Sequence, residues 1–299
     1  MTLDSVYIEI TNACNLHCSF CPCGKHPGTA VSAAPREFMP TTLFEKCIAG
    51  AMETGAKNVF FHVLGEPTIH PGFAHYLKKL ESTPLKLTLT TNGTTIARTG
   101  RPILESLAVR QVNFSLHAYA ELDTEAARSH LQNAFDFCKL ALAMRPDLYI
   151  NLRLWNIGSE DSSGPWNRTV LAGIADTFGV SVAPHHFCSR HKSFNITGKL
   201  YLHEDSRFEW PAMPAPGSGI SESHGTCHAL ESHVAILHDG RVVACCLDHK
   251  GLIELGNIQT RPLPEILEGE LAQRLREGFA MHELRHPLCQ ACSYCKRFK

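Results

Sequence analysis

Residues 6–21 read VYIEITNACNLHCSFC. The alternating run Val6-Tyr7-Ile8-Glu9-Ile10 has the pattern of a strand. Cys14, Cys18 and Cys21 follow it in the spacing C-x3-C-x2-C. The C-terminal end of a barrel strand is where α/β folds place their chemistry. A [4Fe–4S] cube is commonly held by four cysteines, so three thiolates leave one iron open to a ligand that is not protein. The competing reading of such short spacings is a zinc knuckle.

Working outward, 299 residues of which 44 % are hydrophobic can bury one large core and a small second domain. The net charge of −1 gives no electrostatic argument for nucleic acid or an anionic membrane. No apolar run reaches the roughly 18 residues of a membrane span, and MTLDSVYIEI lacks the basic start and apolar stretch of a signal peptide. Thirteen cysteines without a secretion signal fit metal ligation in a reducing cytoplasm better than disulfides. They gather at the two ends, four within Cys14–Cys23 and six within Cys227–Cys295, and this sets the expected domain division.

Strands are expected at Val6–Ile10, Asn58–Val63, Leu85–Thr90, Gln111–Leu116, Tyr149–Leu154 and Val180–Pro184. Helices are expected at Leu43–Thr54, Phe73–Glu81, Arg101–Leu107, Glu125–Met144 and Arg168–Phe178. Repeated βα units of this length imply a parallel sheet with helices outside. Six are too few for a closed barrel of eight, so the fold expected is α/β, a (β/α)6 partial TIM barrel. Residues 1–209 would form it. Residues 210–224, rich in Pro, Gly and Ser, read as a linker or substrate-facing loop, and 225–299 as a small Cys-rich domain. In that domain Ser232–Leu237 and Arg241–Cys246 flank His238-Asp239-Gly240, a hairpin signal. One helix is expected from Leu263 to about Phe279.

The motif C-x3-C-x2-C, with Phe20 before its last cysteine and a strand before its first, resembles that of the radical S-adenosylmethionine (SAM) superfamily. The resemblance implies that Cys14, Cys18 and Cys21 hold a [4Fe–4S] cluster whose open iron is chelated by SAM. Reductive cleavage of SAM would then give a 5′-deoxyadenosyl radical that abstracts a substrate hydrogen. It implies further that Gly65-Glu66, after Leu64 where the family motif has a first glycine, receives the SAM ammonium. Thr91 and Asn92 would reach the SAM ribose and carboxylate, and Ser115 one of the same groups. Arg153, inside an apolar strand, must face a carboxylate or bear a large desolvation cost. It is a candidate contact of the SAM carboxylate or an anionic substrate, against a structural ion pair. His117, His185 and His186 are candidate substrate contacts, and Phe208 and Trp210 candidate pocket walls. Cys23 is read as a neighbour of the motif rather than a ligand.

At the other end, Cys227, Gly240 and Cys245 in the arrangement C-x12-G-x4-C resemble the opening of SPASM and twitch extensions, with closing ligands in Cys289-Gln290-Ala291-Cys292-Ser293-Tyr294-Cys295. The resemblance implies one auxiliary [4Fe–4S] cluster on Cys227, Cys245, Cys289 and Cys292, with Cys295 a rival for one of the last two. Cys246 is expected on the opposite face of its strand. A zinc ribbon from the same pairs is the alternative.

The function expected is a two-electron oxidation of a small molecule, with an electron donor of the reductase or flavodoxin type. Radical modification or epimerisation of a peptide is the alternative, the latter with Cys246 or Cys188 as hydrogen donor. From other classes stand a zinc-stabilised regulatory protein and an Fe–S electron carrier.

Overall fold

The computed structural model describes residues 2–23, 36–157, 164–182, 192–207, 209–213 and 223–298. The expected contacts His185, His186, Cys188 and Phe208, and most of the expected linker, lie outside them.

Five βα units open the chain. Strands β1 (Ser5–Ile8), β2 (Asn58–Phe60), β3 (Lys86–Thr91), β4 (Val109–Ser115) and β5 (Tyr149–Leu154) pair side by side, all parallel. Helices α1 (Thr41–Glu53), α2 (Phe73–Glu81), α3 (Ile96–Glu105) and α4 (Thr124–Met144) connect them, and α5 (Pro165–Phe178) follows β5. Val6, Ile8, Leu87, Leu89, Val112, Phe114, Ile150, Leu152 and Leu154 are buried and belong to one core. Helix α1 meets that core with Leu43, Phe44, Cys47, Ile48 and Ala51, one stripe at helical spacing. Its Phe44 ring stacks on Tyr76 of α2 at 4.0 Å. Each such fully buried side chain contributes about 1.5–3 kcal/mol.

The helix ends follow local rules. The Asp123 carboxylate caps α4 by accepting from the Glu125 and Ala126 amides. Helix α3 begins at Ile96, earlier than the expected Arg101, and carries Pro102 inside it. A Cβ on its Gly100 would stand 3.0 Å from the Phe137 ring, so the glycine that weakens the helical signal is what lets α3 approach α4.

The strand expected at Val180–Pro184 lies only partly within the described residues, and the strand beside β5 is another. Helix α5 stops at Gly179, which adopts a left-handed φ of 66°, and 180–182 form no strand. Instead an antiparallel pair, β6 (Ser193–Thr197) and β7 (Leu200–Glu204), follows, and β7 lies parallel to β5. This completes six parallel strands in the order β1-β2-β3-β4-β5-β7, the (β/α)6 partial barrel expected, with its last strand displaced along the chain.

The expected C-terminal hairpin is present as β8 (His233–Ile236) and β9 (Arg241–Val243). Strand β10 (Glu254–Asn257), which sequence reasoning missed, adds to β9. Strand β8 also pairs in parallel with β1, in register from Ser5↔His233 to Ile8↔Ile236. The Cys-rich segment therefore extends the barrel's own sheet to ten strands. The single helix expected from Leu263 is two, α6 (Leu263–Leu267) and α7 (Glu270–Ala280), broken at Gly269. A short α8 (Pro287–Gln290) and a 3-10 turn, Tyr294–Phe298, end the chain.

Candidate active site

Because β1 to β5, β7 and β8 run parallel, their C-terminal ends share one edge, and nearly every expected site residue stands there. The cysteine loop leaves β1 and is tied at both ends. Thr11 donates to the Glu37 carbonyl at 2.6 Å, and Asn12 accepts from the Glu37 amide at 2.8 Å. Further on, Ser19 donates through its amide and its hydroxyl to Glu121, each at 2.7 Å. Along this loop the thiols of Cys14, Cys18 and Cys21 stand close enough to oppose one another's ionisation. Burial pushes Cys14 up to about 11 and Cys18 up to about 12, and the neighbouring sulfurs add to both shifts. Cys23 stands beside Cys21 and holds that thiolate lower through a thiol hydrogen bond.

The β2 end locks onto this loop. Gly65 has φ +76°, and a Cβ there would overlap the Thr11 carbonyl oxygen and stand 2.9 Å from that of Ala13. Only glycine fits so close a backbone crossing. The Glu66 amide donates to the Ala13 carbonyl at 2.8 Å. The Glu66 side chain is buried and accepts from the Thr68 amide and hydroxyl, the Thr91 hydroxyl and the Asn92 amide, at 2.6–3.0 Å. Its carboxylate thus braces the β2 loop against the β3 end. Asn92 in turn donates to the Cys14 sulfur at 3.8 Å and to Asn15 at 3.0 Å. Gly65, Glu66, Thr91, Asn92 and Cys14 therefore form one connected unit.

Ser115 and Arg153 are register partners on β4 and β5, and Arg153 pairs with His203 of β7 on its other side. All three lie on the inward row of the sheet. His117, just beyond β4, takes its Nδ1 to the Arg153 carbonyl at 3.2 Å and packs against Phe20, ring to ring at 5.3 Å. Burial lowers His117 to about 4 and His62 to about 3, so both rings are neutral near pH 7.

Above these strand ends lies a cavity of about 630 Å³. Phe20, Cys21, Ser115, His117 and Arg153 line it, together with Cys227, Cys245, Cys246, Cys289, Cys292 and Cys295. The expectation for Cys246 fails. Strand β9 ends at Val243, so strand alternation no longer applies at 245 and 246, and both cysteines reach the cavity. Cys246 bonds the Tyr7 hydroxyl, and burial pushes its thiol up to about 12. Cys295 donates to the Cys292 carbonyl at 2.9 Å. None of the twelve described cysteines is in a disulfide.

Sequence reasoning missed Tyr7, His62, Trp155, Arg207, His233 and Tyr294, which also line the cavity. Tyr7, Phe60 and His62 carried a signal, since period-two alternation puts them opposite the core-facing Val6, Ile8, Val59 and Phe61. Trp210 lines it as expected.

The residues present fit Fe–S clusters. Among the described residues no three His, Cys, Asp or Glu side chains converge as on a single metal ion; the fit rests on the donors. Each cysteine set supplies soft thiol donors, mutually close and outside any disulfide, beside the glycine cradle at Gly65. The buried thiols resist ionisation alone, and a bound iron cation reverses that balance.

This is the fold and donor set of an Fe–S enzyme that works at the mouth of a partial barrel. The radical SAM superfamily sequence model matches residues 8–151, and that of the iron-sulfur cluster-binding SPASM domain matches 227–296. The chain belongs to the radical SAM superfamily and carries a C-terminal SPASM domain; its cofactors are a [4Fe–4S] cluster, SAM and auxiliary Fe–S. The zinc and electron-carrier alternatives are thereby set aside. Over 127 residues, 42 % of this chain and 34 % of the relative, it is 28 % identical to the tungsten-containing aldehyde ferredoxin oxidoreductase cofactor-modifying protein of Pyrococcus furiosus. The match thus spans about a third of that relative's length.

Solved structures similar in fold include anSMEcpe with bound AdoMet (TM-score 0.59, 16 % identity, 99 % of this chain and 85 % of that one). Streptococcus suis SuiB bound to S-adenosylmethionine gives TM-score 0.59 at 15 % identity over 99 % of this chain and 72 % of that one. BtrN in complex with AdoMet and 2-DOIA gives 0.51 at 12 % identity over 98 % and 94 %. No described helix is long and apolar enough to cross a membrane.

Proposed function

We propose that this radical SAM enzyme removes a hydrogen from a small molecule held in the cavity and completes a two-electron oxidation. The observation that supports the reading is a cavity of about 630 Å³ lined by Cys21 of the first cysteine set and by Cys227, Cys245, Cys246, Cys289, Cys292 and Cys295. A substrate bound there would lie between the two metal positions. When bound, the cluster of Cys14, Cys18 and Cys21 together with SAM supplies one-electron reduction and a carbon radical able to take an unactivated hydrogen.

The chain's residues have separable tasks in this proposal. Gly65, Thr91, Asn92 and Ser115 hold SAM against the open iron, with Glu66 fixing the loops that carry them. Phe20 and His117 shape the near wall. Cys227, Cys245, Cys289 and Cys292, with Cys295 as rival for one of the last two, would hold one auxiliary cluster, which would supply an acceptor for the second electron. An external low-potential donor of the flavodoxin type returns electrons.

The test is iron and sulfide per chain after anaerobic reconstitution, in wild type and in the Cys14/Cys18/Cys21→Ala triple variant. Two [4Fe–4S] clusters give about eight irons falling to about four. About four falling to none removes the auxiliary cluster, and with it the oxidative outcome.

A further inference from the structure

We propose that Arg153 is the cavity's carboxylate anchor, and that the substrate is an organic acid whose carboxylate it grips. The inference rests on the radical SAM reading above and deepens it by naming the substrate class.

Arg153 sits on the inward row of β5, where burial lowers its ordinary basicity to about 10. Among the described residues no carboxylate pairs with it, and its buried Nε has no hydrogen-bond partner. Arg153 is half-buried, and a partly desolvated cation whose Nε is buried without a partner is costly to keep, so the site suits an anion. The guanidinium is also held in place. Its Cζ lies 4.4 Å from the centre of the Trp155 ring, and the Trp155 indole N–H donates to His203 at 2.9 Å. One face is thus covered by a fixed ring, which leaves the planar edge to meet a carboxylate through two parallel bonds.

The surroundings have the same sign. The described cavity wall contains Arg153 and Arg207 and no Asp or Glu. The groups that favour the charged guanidinium are the hydroxyls of Tyr7 and Tyr294. Tyr7 bonds Cys246, and Tyr294 belongs to the C-terminal turn. Arg153 lines the cavity together with the C-terminal cysteines, and that lining does not include Gly65, Glu66, Thr91 or Asn92. This favours a substrate carboxylate over the methionyl carboxylate of SAM.

Titration calorimetry of the reconstituted full chain separates the two sources. Glutarate, glutaramide and SAM are titrated into wild type, Arg153→Gln and Arg153→Lys, each checked for wild-type iron content. We expect glutarate to bind wild type and glutaramide not to. Arg153→Gln is expected to weaken glutarate about 10- to 100-fold, the range for a lost charge-assisted bond. Arg153→Lys, which keeps the charge without the fork, should recover part of that loss. Glutarate that fails to bind wild type, or binds Arg153→Gln equally well, overturns the proposal. A fall in SAM affinity alone assigns the anchor to SAM and overturns the substrate class. The parent reading has its own readout, since wild type that forms no 5′-deoxyadenosine from SAM and reductant fails that reading whatever glutarate does.

Discussion

Gly65→Ala probes the joint between the β2 end and the cysteine loop. At φ +76° an alanine bears about 1–2 kcal/mol of left-handed strain. Its Cβ would also overlap the Thr11 carbonyl and lie 2.9 Å from that of Ala13, where ordinary contact begins at 3.4 Å. Relief of the nearer contact, at the Thr11 carbonyl, needs a shift of about 1 Å in the segment leading into Cys14. That shift also stretches the 2.8 Å bond from the Glu66 amide to Ala13, adding about 0.5–1.5 kcal/mol. The sum, about 1.5–3.5 kcal/mol, falls on the loop that carries the first cluster. Displacements on the 1 Å scale cost up to about 100-fold in rate, so 5′-deoxyadenosine formation at saturating SAM should fall by tens of fold. Iron held by the C-terminal cysteines should stay at wild-type level. The assay pairs iron content with 5′-deoxyadenosine formation. A variant with full iron and the wild-type rate refutes the claim that this crossing positions the cluster.

Two further outcomes follow from the braces around the site. In Glu66→Gln an amide replaces a carboxylate that accepts four hydrogen bonds. At least one buried donor then faces another donor, at a cost of about 1–3 kcal/mol, read as a lower melting temperature and a weaker SAM affinity. His238 bonds Glu9 at 2.8 Å and ties the β8–β9 turn to β1. Burial opposes its protonation, but the bond and charge of Glu9, with Asp239 and Glu37, raise its basicity overall. A raised histidine stabilises the fold fully below the unfolded value near 6.5 and loses that contribution as pH rises through the folded value. The stability gap between wild type and His238→Gln should therefore be widest near pH 6 and shrink towards pH 9, measured by denaturant titration of both proteins. A gap that widens with pH contradicts this.

The barrel was legible in the sequence because its strands obey local rules. Val6–Ile10, Asn58–Val63 and Tyr149–Leu154 are apolar runs bounded by turns, and the structure puts strands within them. The sixth strand was not, although Leu200-Tyr201-Leu202-His203-Glu204 alternates cleanly. The run at 180–184 is equally apolar, and nothing local says that the chain first turns back through β6. Pro102 and Gly100 obscured the start of α3, because packing against Phe137 offsets the loss of helical propensity. The cysteine motifs announced themselves by spacing, which is a property of the chain alone.

What spacing does not carry is that Cys21 of the first set and the C-terminal cysteines open into one space. That follows from the pairing of β8 with β1, a contact between residues more than two hundred positions apart. Once β8 lies beside β1, Tyr7 on one strand reaches Cys246 beyond the other, and Glu9 reaches His238. The N-terminal cysteine loop and the C-terminal cysteine segment are then held by the same strand. An auxiliary cluster on a flexibly linked domain has no fixed distance from a substrate radical. One mounted on the edge of the barrel sheet has, and the cavity between Cys21 and Cys245 is where that distance is set. Arg153 stands half-buried in that cavity, whose described lining has no Asp or Glu, so the sheet that joins the two cysteine segments also fixes the point at which a substrate would be gripped between them.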